Sequence, residues 1–148
     1  MAAGAGLLAF DGKEVFPESQ KTRRSADKDF PTSFIETLDH AALFYRDWGM
    51  GKAAVFVHSW AVSSELWQYQ MIYLADHGIR CVAYDQRGHG RSSDPGRGYD
   101  VDTLADDLAA VIEQLNLREV TLVGHSMGCG EITRYLSRHG TRDRKTVV

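Results

Sequence analysis

The sequence predicts an α/β domain with a mostly parallel sheet and helices on both faces. Apolar runs without polar alternation stand at 53–57, 80–84 and 120–123, as is typical of strands buried on both faces. Each run is followed by a segment with helical periodicity. Strands that alternate with helices in this way favour right-handed strand–helix–strand units and therefore an α/β sheet.

Composition excludes several classes of partner. The 148 residues carry 17 Lys+Arg and 20 Asp+Glu, a formal net charge of −3. This balance predicts no nucleic-acid partner and no attraction to an anionic membrane, and no apolar run approaches the ~20 residues of a membrane span. Cys81 and Cys129 lack the spacing of a zinc site. We expect them to be reduced thiols in a cytoplasmic protein.

The two ends of the chain differ from its centre. Residues 1–32 mix acids and bases without an apolar period, which predicts a mobile N-terminal extension. Residues 33–148 are expected to form the N-terminal part of a domain, because 145–148 read as the opening of another buried strand. Such a domain would expose a sheet edge, through which self-association is possible.

The remaining elements follow from turn and cap residues. Two short strands, 33–38 and 43–48, read as a hairpin that turns at Asp39 and His40. Three helices are predicted with their caps: one after Ser63 or Ser64, one after Asp100 or Asp102, and one from Met127 to Gly140.

The strongest functional signal is Gly-His-Ser-Met-Gly at 124–128, between an apolar strand and a helix. This is the nucleophile elbow in the context that supports it. Gly124 and Gly128 would avoid side-chain clashes in the tight turn. The turn would hold Ser126 in a strained conformation with an exposed hydroxyl, at the positive end of a helix.

Two further segments follow strands. His-Ser-Trp-Ala at 58–61 follows the first apolar run, and Trp60 is the best candidate for a second oxyanion donor beside Met127. The glycine-rich segment 85–94 lacks the third glycine of a dinucleotide fingerprint. It is interpreted as a structural loop with internal side-chain hydrogen bonds.

Taken together, these motifs resemble the α/β-hydrolase superfamily. Within it, the chain is similar to the cofactor-free (non-haem) haloperoxidases, or perhydrolases, and to related esterases. The resemblance runs from about residue 33 to the end and rests on VFVHSW, AYDQRGHGRSS, VTLVGHSMG and EITRYLSRHG. It implies an α/β-hydrolase fold that is truncated before its later strands.

The resemblance also implies roles for particular residues. Ser126 would attack a small-molecule ester, and the N–H groups of Trp60 and Met127 would bind the oxyanion. Water would release the acid from the acyl-enzyme, whereas hydrogen peroxide would release a peracid. His58 and His125 are expected to orient the surrounding loops. No metal, haem, flavin or other cofactor is implied.

The rest of the catalytic triad is not found in the sequence. In this fold an Asp or Glu and then a His follow the serine, and only Glu131, His139 and Asp143 come after Ser126. His139 lies thirteen residues along a helix, roughly 20 Å away. Glu131 is expected at the surface or in a supporting role. The chain alone is therefore expected to be inactive, and the alternative is an inactive or small-ligand-binding protein of the hydrolase fold.

Two comparisons with the family pattern refine this prediction. The family usually has His-Gly-Trp-Pro where this chain has His-Ser-Trp-Ala. Ser59 is therefore expected to distort the oxyanion loop, and the missing proline weakens the perhydrolase assignment. Epoxide hydrolases and haloalkane dehalogenases, which place Asp at the nucleophile position, are disfavoured by Ser126.

Overall fold

A computed structural model of the chain describes residues 33–140 and the backbone of 144–147. The extension predicted at 1–32 lies outside the described residues. The strands are β1 (Phe34–Glu36), β2 (Ala42–Trp48), β3 (Lys52–Val57), β4 (Ile79–Tyr84), β5 (Val120–Gly124) and β6 (Arg144–Val147). The helices are α1 (Gln68–Asp76), which follows a 3₁₀ turn at Ser64–Trp67, α2 (Val101–Gln114) and α3 (Met127–His139).

The strands form one mixed sheet in the order β1-β2-β4-β3-β5-β6. β1 and β2 are the predicted hairpin, and β2 pairs antiparallel with β4. β4, β3, β5 and β6 are parallel. The carboxyl ends of β3, β4 and β5 therefore meet at one edge, and the predicted α/β fold class is confirmed.

Both faces of the sheet are covered. Val55 and Val57 of β3 belong to the larger core cluster, to which α2 and α3 contribute. Ala54 and Phe56 belong to a smaller cluster with Met71 of α1. This alternation explains why the β3 run is apolar throughout, since side chains on both faces meet helices.

The predicted caps stand close to where the helices begin. Asp100 accepts a hydrogen bond from the Thr103 N–H at 3.0 Å, which caps α2. Ser63 accepts from the Glu65 N–H at 3.4 Å, so it caps the 3₁₀ turn that precedes α1. α3 begins at Met127 and ends before Gly140, as predicted. No helix in residues 33–140 is long and apolar enough to span a membrane.

A buried ion pair fastens the segment after β4 to α2. Arg87, 1% exposed, donates to both carboxylate oxygens of Asp107, at 2.7 and 2.6 Å. Its guanidinium also bonds Asp39 in the β1–β2 turn at 2.9 Å. Because removing one member leaves a buried charge unpaired, this contact fixes the loop after β4 against two other elements.

α3 starts in close contact with the end of β3. A Cβ added at Gly128 would lie 2.5 Å from the Val57 carbonyl oxygen and 2.9 Å from that of His58. A Cβ at Gly124 would lie 2.8 Å from Cδ1 of Ile132 and 3.0 Å from the Cys129 nitrogen. Gly128 is therefore required by the close approach of α3 to β3, and Gly124 by the first turns of α3, including the Gly128 carbonyl carbon at 3.0 Å.

The outer edge of β6 has no strand partner within the described residues.

Gly128→Ala should destabilise the chain, because its methyl group has no room beside β3. We expect a loss of about 1–3 kcal/mol in the free energy of unfolding, measured by urea denaturation. Gly130→Ala is the matched control in the same helix, since nothing lies within 4 Å of its Cβ position. It should stabilise by about 0.5–1 kcal/mol. Equal effects of the two substitutions would contradict the close contact.

Candidate active site

Ser126 lies at the junction of β5 and α3. Its backbone has φ 53° and ψ −111°, so the strained conformation predicted from the sequence takes the form of a positive φ. The residue is exposed, and its hydroxyl makes no hydrogen bond within residues 33–140. A positive φ at a residue other than glycine costs about 1–3 kcal/mol. Ser126 lies in the sharp turn between the end of β5 and the start of α3 and belongs to neither.

Backbone hydrogen bonds close the turn around Ser126. The His125 N–H donates to the Val57 carbonyl at 3.1 Å, which ties the turn to β3. The Cys129 N–H donates to the Ser126 carbonyl at 3.0 Å and starts the helix. The turn is thus held on one side by the sheet and on the other by the first turn of α3.

The two predicted oxyanion donors flank the same strand end. Met127 is the first residue of α3, and Trp60 lies three residues beyond the end of β3. Within the described part of the chain neither N–H donates a hydrogen bond. The Trp60 side chain is 64% exposed and contacts His89 edge-to-face, with 5.1 Å between ring centroids.

His58 controls the direction of the peptide group before Trp60. Its Nε2 accepts from the Gln86 N–H at 2.9 Å, so the ring proton is on Nδ1, which donates to the Ser59 carbonyl at 2.7 Å. The carbonyl and N–H of a trans peptide point in opposite directions. The hydrogen bond to the Ser59 oxygen therefore aims the Trp60 N–H away from His58. Burial lowers the pKa of His58, which favours this neutral form.

His89 holds the other end of the loop. Its Nε2 accepts from the Ala61 N–H at 3.2 Å, and its Nδ1 contacts the Arg87 carbonyl at 3.0 Å. The sequence assigned no role to His89, because the contact joins residues far apart in the chain. A histidine placed in a glycine-rich turn gave no local signal of it.

The strained residue of the loop is Ala61 rather than Ser59. Ala61 has φ 61°, whereas Ser59 is not among the described residues with positive φ. The left-handed conformation of the loop is therefore at Ala61 and not at Ser59. Proline is locked near φ −65° and has no N–H, so the loop observed here is one that a proline at position 61 could not form.

The segment after β4 does more than the internal bonding predicted for it. Asp85, Gln86 and Arg87 are all buried, at 2%, 1% and 1% exposure. Asp85 accepts from the Arg91 N–H within the loop and from the Ser64 N–H of the 3₁₀ turn, at 2.8 and 2.7 Å. Three consecutive polar side chains thus bind three different parts of the fold.

Glu131 is buried, which excludes the surface position and leaves the supporting role among the two alternatives expected for it. The side chain is on α3, 1% exposed, and accepts hydrogen bonds from the Tyr84 hydroxyl and from Nε2 of Gln86, the latter at 2.8 Å. Burial raises the pKa of Glu131 to about 8. Helical periodicity did not reveal this, because its partners are supplied by β4 and the loop that follows.

None of the six histidines is hydrogen-bonded to Ser126. His40 contacts Glu36, His77 the Tyr73 carbonyl, and His139 the Asp106 carboxylate. His58 and His89 bind the loop, as described. The exposed His125 side chain makes no hydrogen bond within residues 33–140, so its loop contact is made by its backbone N–H alone.

Two cavities lie near these residues. A groove of about 510 Å³ adjoins the Trp60 side chain and is lined by Trp60, Ala61, Gly88, His89, Asp94, Gly96 and Tyr99. Another, of about 560 Å³, lies between the β1–β2 turn, α2 and His139 and contains none of the predicted site residues. Within the described residues no group of three His, Cys, Asp or Glu side chains could hold a metal ion.

The raised pKa of Glu131 predicts a pH-dependent stability. Its pKa is about 8 in the fold against 4.5 when unperturbed, so between these values the folded chain binds more protons than the unfolded chain. Stability should then fall as pH rises from about 4.5 to 8, by up to about 1.4 kcal/mol per pH unit. Urea denaturation at a series of pH values measures this slope.

Glu131→Gln is the control for this slope. The amide keeps an acceptor for Gln86 and cannot ionise. The variant should therefore gain stability relative to the wild type as pH rises towards 8. A difference that is independent of pH would show that Glu131 titrates normally.

Comparisons with known proteins agree with this architecture. A sequence model of the α/β-hydrolase fold family matches residues 53–147. A non-heme chloroperoxidase from Kitasatospora aureofaciens is 48% identical over 112 residues, 76% of this chain and 41% of that protein. A bifunctional esterase/perhydrolase from Acinetobacter calcoaceticus is 44% identical over 108 residues, 72% of this chain and 39% of that protein. An esterase structure from Exiguobacterium antarcticum has a TM-score of 0.77 and 37% identity, over 78% of this chain and 43% of its own.

The chain spans about two fifths of the length of these relatives. The family match includes β3 with the Trp60 loop, the buried segment after β4, and the turn that carries Ser126. The resemblance inferred from the sequence motifs is thereby confirmed, and the chain belongs to the α/β-hydrolase fold family.

Proposed function

We propose that Ser126 is the nucleophile of an ester hydrolase that works through an acyl-enzyme. The observation that carries the proposal is the exposed serine at positive φ, between a buried strand and the N-terminus of a helix. This conformation presents the hydroxyl above the sheet edge, where a substrate can approach it. The positive end of α3 favours the negative charge that develops during attack.

The oxyanion would be bound by the N–H groups of Met127 and Trp60. Neither N–H group makes a hydrogen bond within the described residues. Trp60 follows β3 and Met127 follows β5, and the ends of these two strands are joined by the bond from the His125 N–H to the Val57 carbonyl. Two preorganised donors are the usual arrangement for acyl transfer, and the loss of one costs about 10²–10³ in rate.

The chemistry then divides according to the acceptor. Attack by Ser126 forms an ester bond between its oxygen and the acyl group and expels the alcohol. Water regenerates the serine and releases a carboxylic acid, whereas hydrogen peroxide releases a peracid. Relatives carry both names, esterase/perhydrolase and chloroperoxidase. We propose ester hydrolysis as the main reaction, with perhydrolysis as a side activity.

The general base is not supplied by the histidines of this chain. All six lie within residues 33–140, five have partners elsewhere, and His125 makes no hydrogen bond to Ser126. We propose that the base and its carboxylate belong to the part of the relatives' length that this chain does not span. The two free cysteines, Cys81 and Cys129, support the further proposal of a reducing, cytoplasmic location.

The 148-residue chain should therefore show almost no turnover. Without a base the serine hydroxyl stays protonated and is a weak nucleophile, and loss of a triad member costs several powers of ten, roughly 10⁴–10⁶. Hydrolysis of p-nitrophenyl acetate by the chain should match that by Ser126→Ala. A large rate that disappears in Ser126→Ala would overturn the assignment of the base.

Added imidazole tests the nucleophile itself. A fluorophosphonate reacts with an activated serine, and imidazole in solution can serve as the missing base. We expect imidazole to raise the rate of Ser126 phosphonylation at least about tenfold, followed by intact-mass spectrometry and located by peptide mapping.

Two serine variants control the labelling experiment. Ser126→Ala should abolish the imidazole-dependent product, whereas Ser137→Ala, at an exposed serine of the same helix, should leave it unchanged. Absence of labelling in the folded chain at every imidazole concentration would favour the inactive, ligand-binding alternative.

A further inference from the structure

The side-chain amide of Gln86 connects the main chain of His58 to the side chain of Glu131 through buried hydrogen bonds. Gln86 donates from Nε2 to the His58 carbonyl at 3.0 Å and to Oε2 of Glu131 at 2.8 Å. His58, Gln86 and Glu131 are 0%, 1% and 1% exposed. Hydrogen bonds at this depth are strong and costly to leave unmade.

The connection joins the two elements that carry the proposed donors. Glu131 lies four residues after Met127 on α3, so it is one turn along the same face of the helix. His58 lies two residues before Trp60 on the loop that follows β3. Gln86 belongs to neither element, but its amide contacts both.

No other hydrogen bond between described residues joins the Trp60 loop to α3. The bond from His125 to Val57 holds the strand end against the turn, and Gly128 packs against the Val57 and His58 carbonyls without bonding either. Beyond His58, the loop is held by His89 and by the Ser59 bond of His58. Both of those contacts fix the loop to the segment after β4 or to itself, and neither reaches α3.

We propose that Gln86 is a positioning residue that sets the separation of the Trp60 and Met127 N–H groups by linking the Trp60 loop to Glu131 on the nucleophile helix. This rests on the proposed function of the two donors. An oxyanion needs both N–H groups at about 2.7–3.1 Å, so a loop that drifts by about 1 Å would lose one of them.

The alternative is that Gln86 only satisfies buried polar groups. Tyr84 separates the two possibilities, because its hydroxyl donates to the other oxygen of the same Glu131 carboxylate and is equally buried. A purely structural role predicts similar consequences from loss of either donor. A positioning role predicts that only the loss of Gln86 disturbs the loop.

The variants are chosen to retain volume. Gln86→Met removes the amide but keeps the backbone N–H that binds His58. Tyr84→Phe removes the hydroxyl. Glu131→Gln keeps an acceptor for the Gln86 amide and is the conservative replacement. Gln114→Met alters an exposed glutamine that bonds the Glu36 carbonyl at 2.6 Å and serves as a distant control.

The first readout does not depend on activity. The chain has three tryptophans, so selective ¹⁵N-tryptophan labelling gives three backbone amide signals. We expect Gln86→Met to shift or split the Trp60 signal and to leave that of Trp48, the last residue of β2, unchanged. Tyr84→Phe, Glu131→Gln and Gln114→Met should leave the Trp60 signal in place.

The second readout is imidazole-dependent phosphonylation of Ser126. Gln86→Met should slow it roughly ten- to a hundredfold, while Tyr84→Phe and Glu131→Gln should stay within about threefold of the wild type. Failure of wild-type labelling would count against the nucleophile, whereas equal labelling of wild type and Gln86→Met, with an unmoved Trp60 signal, would overturn the positioning role alone.

If Gln86→Met does not fold, Glu131→Gln and Glu131→Met still test whether the Gln86 link positions the Trp60 loop. The first keeps the acceptor and should behave as wild type in both readouts, whereas the second removes it and should reproduce the moved Trp60 signal. A folded Glu131→Met with an unmoved signal, or a Glu131→Gln variant with a displaced one, would contradict the proposal.

Discussion

The contact between the first turn of α3 and the end of β3 determines the geometry of this protein. Position 128 requires glycine if the two backbones are to stay this close, because the Val57 carbonyl oxygen would lie 2.5 Å from a Cβ there. This approach places Ser126 beside the loop that carries Trp60. It also requires the sharp turn at Ser126, since the chain must reverse from a buried strand into a helix that lies against the neighbouring strand.

The polar interior beside this contact is organised by the segment after β4. Asp85 binds the 3₁₀ turn, Gln86 binds the Trp60 loop and α3, and Arg87 binds α2. Burying these groups is costly unless each has its partners. The bonds made by Asp85, Arg87 and the Gln86 N–H groups therefore favour one arrangement of the surrounding loops.

Local patterns were sufficient to predict the fold and the strand-to-helix turn that carries Ser126. Apolar runs predicted the strands of the parallel sheet, Asp100 marked the start of α2, and the glycine bracket indicated the strained turn at Ser126. Each of these signals lies within a few residues of the feature that it predicts.

Long-range contacts could not be predicted in the same way. The burial of Glu131 depends on Tyr84 and Gln86, more than forty residues away in sequence. Ala61 has the positive φ of the loop, and its N–H bonds His89, which lies 28 residues away in sequence. A histidine or a glutamate carries no local mark of the partner that fixes it, so these roles emerge only from the fold.

The central claim is that the Ser126 turn and the Trp60 loop together form one oxyanion site. A crystal structure of the Ser126 phosphonyl adduct tests it directly, because the phosphonyl oxygen marks the oxyanion position. The account predicts that this oxygen lies about 2.7–3.1 Å from both the Trp60 and the Met127 nitrogens. A phosphonyl oxygen directed to solvent, with the Trp60 N–H turned away from it, would contradict the account.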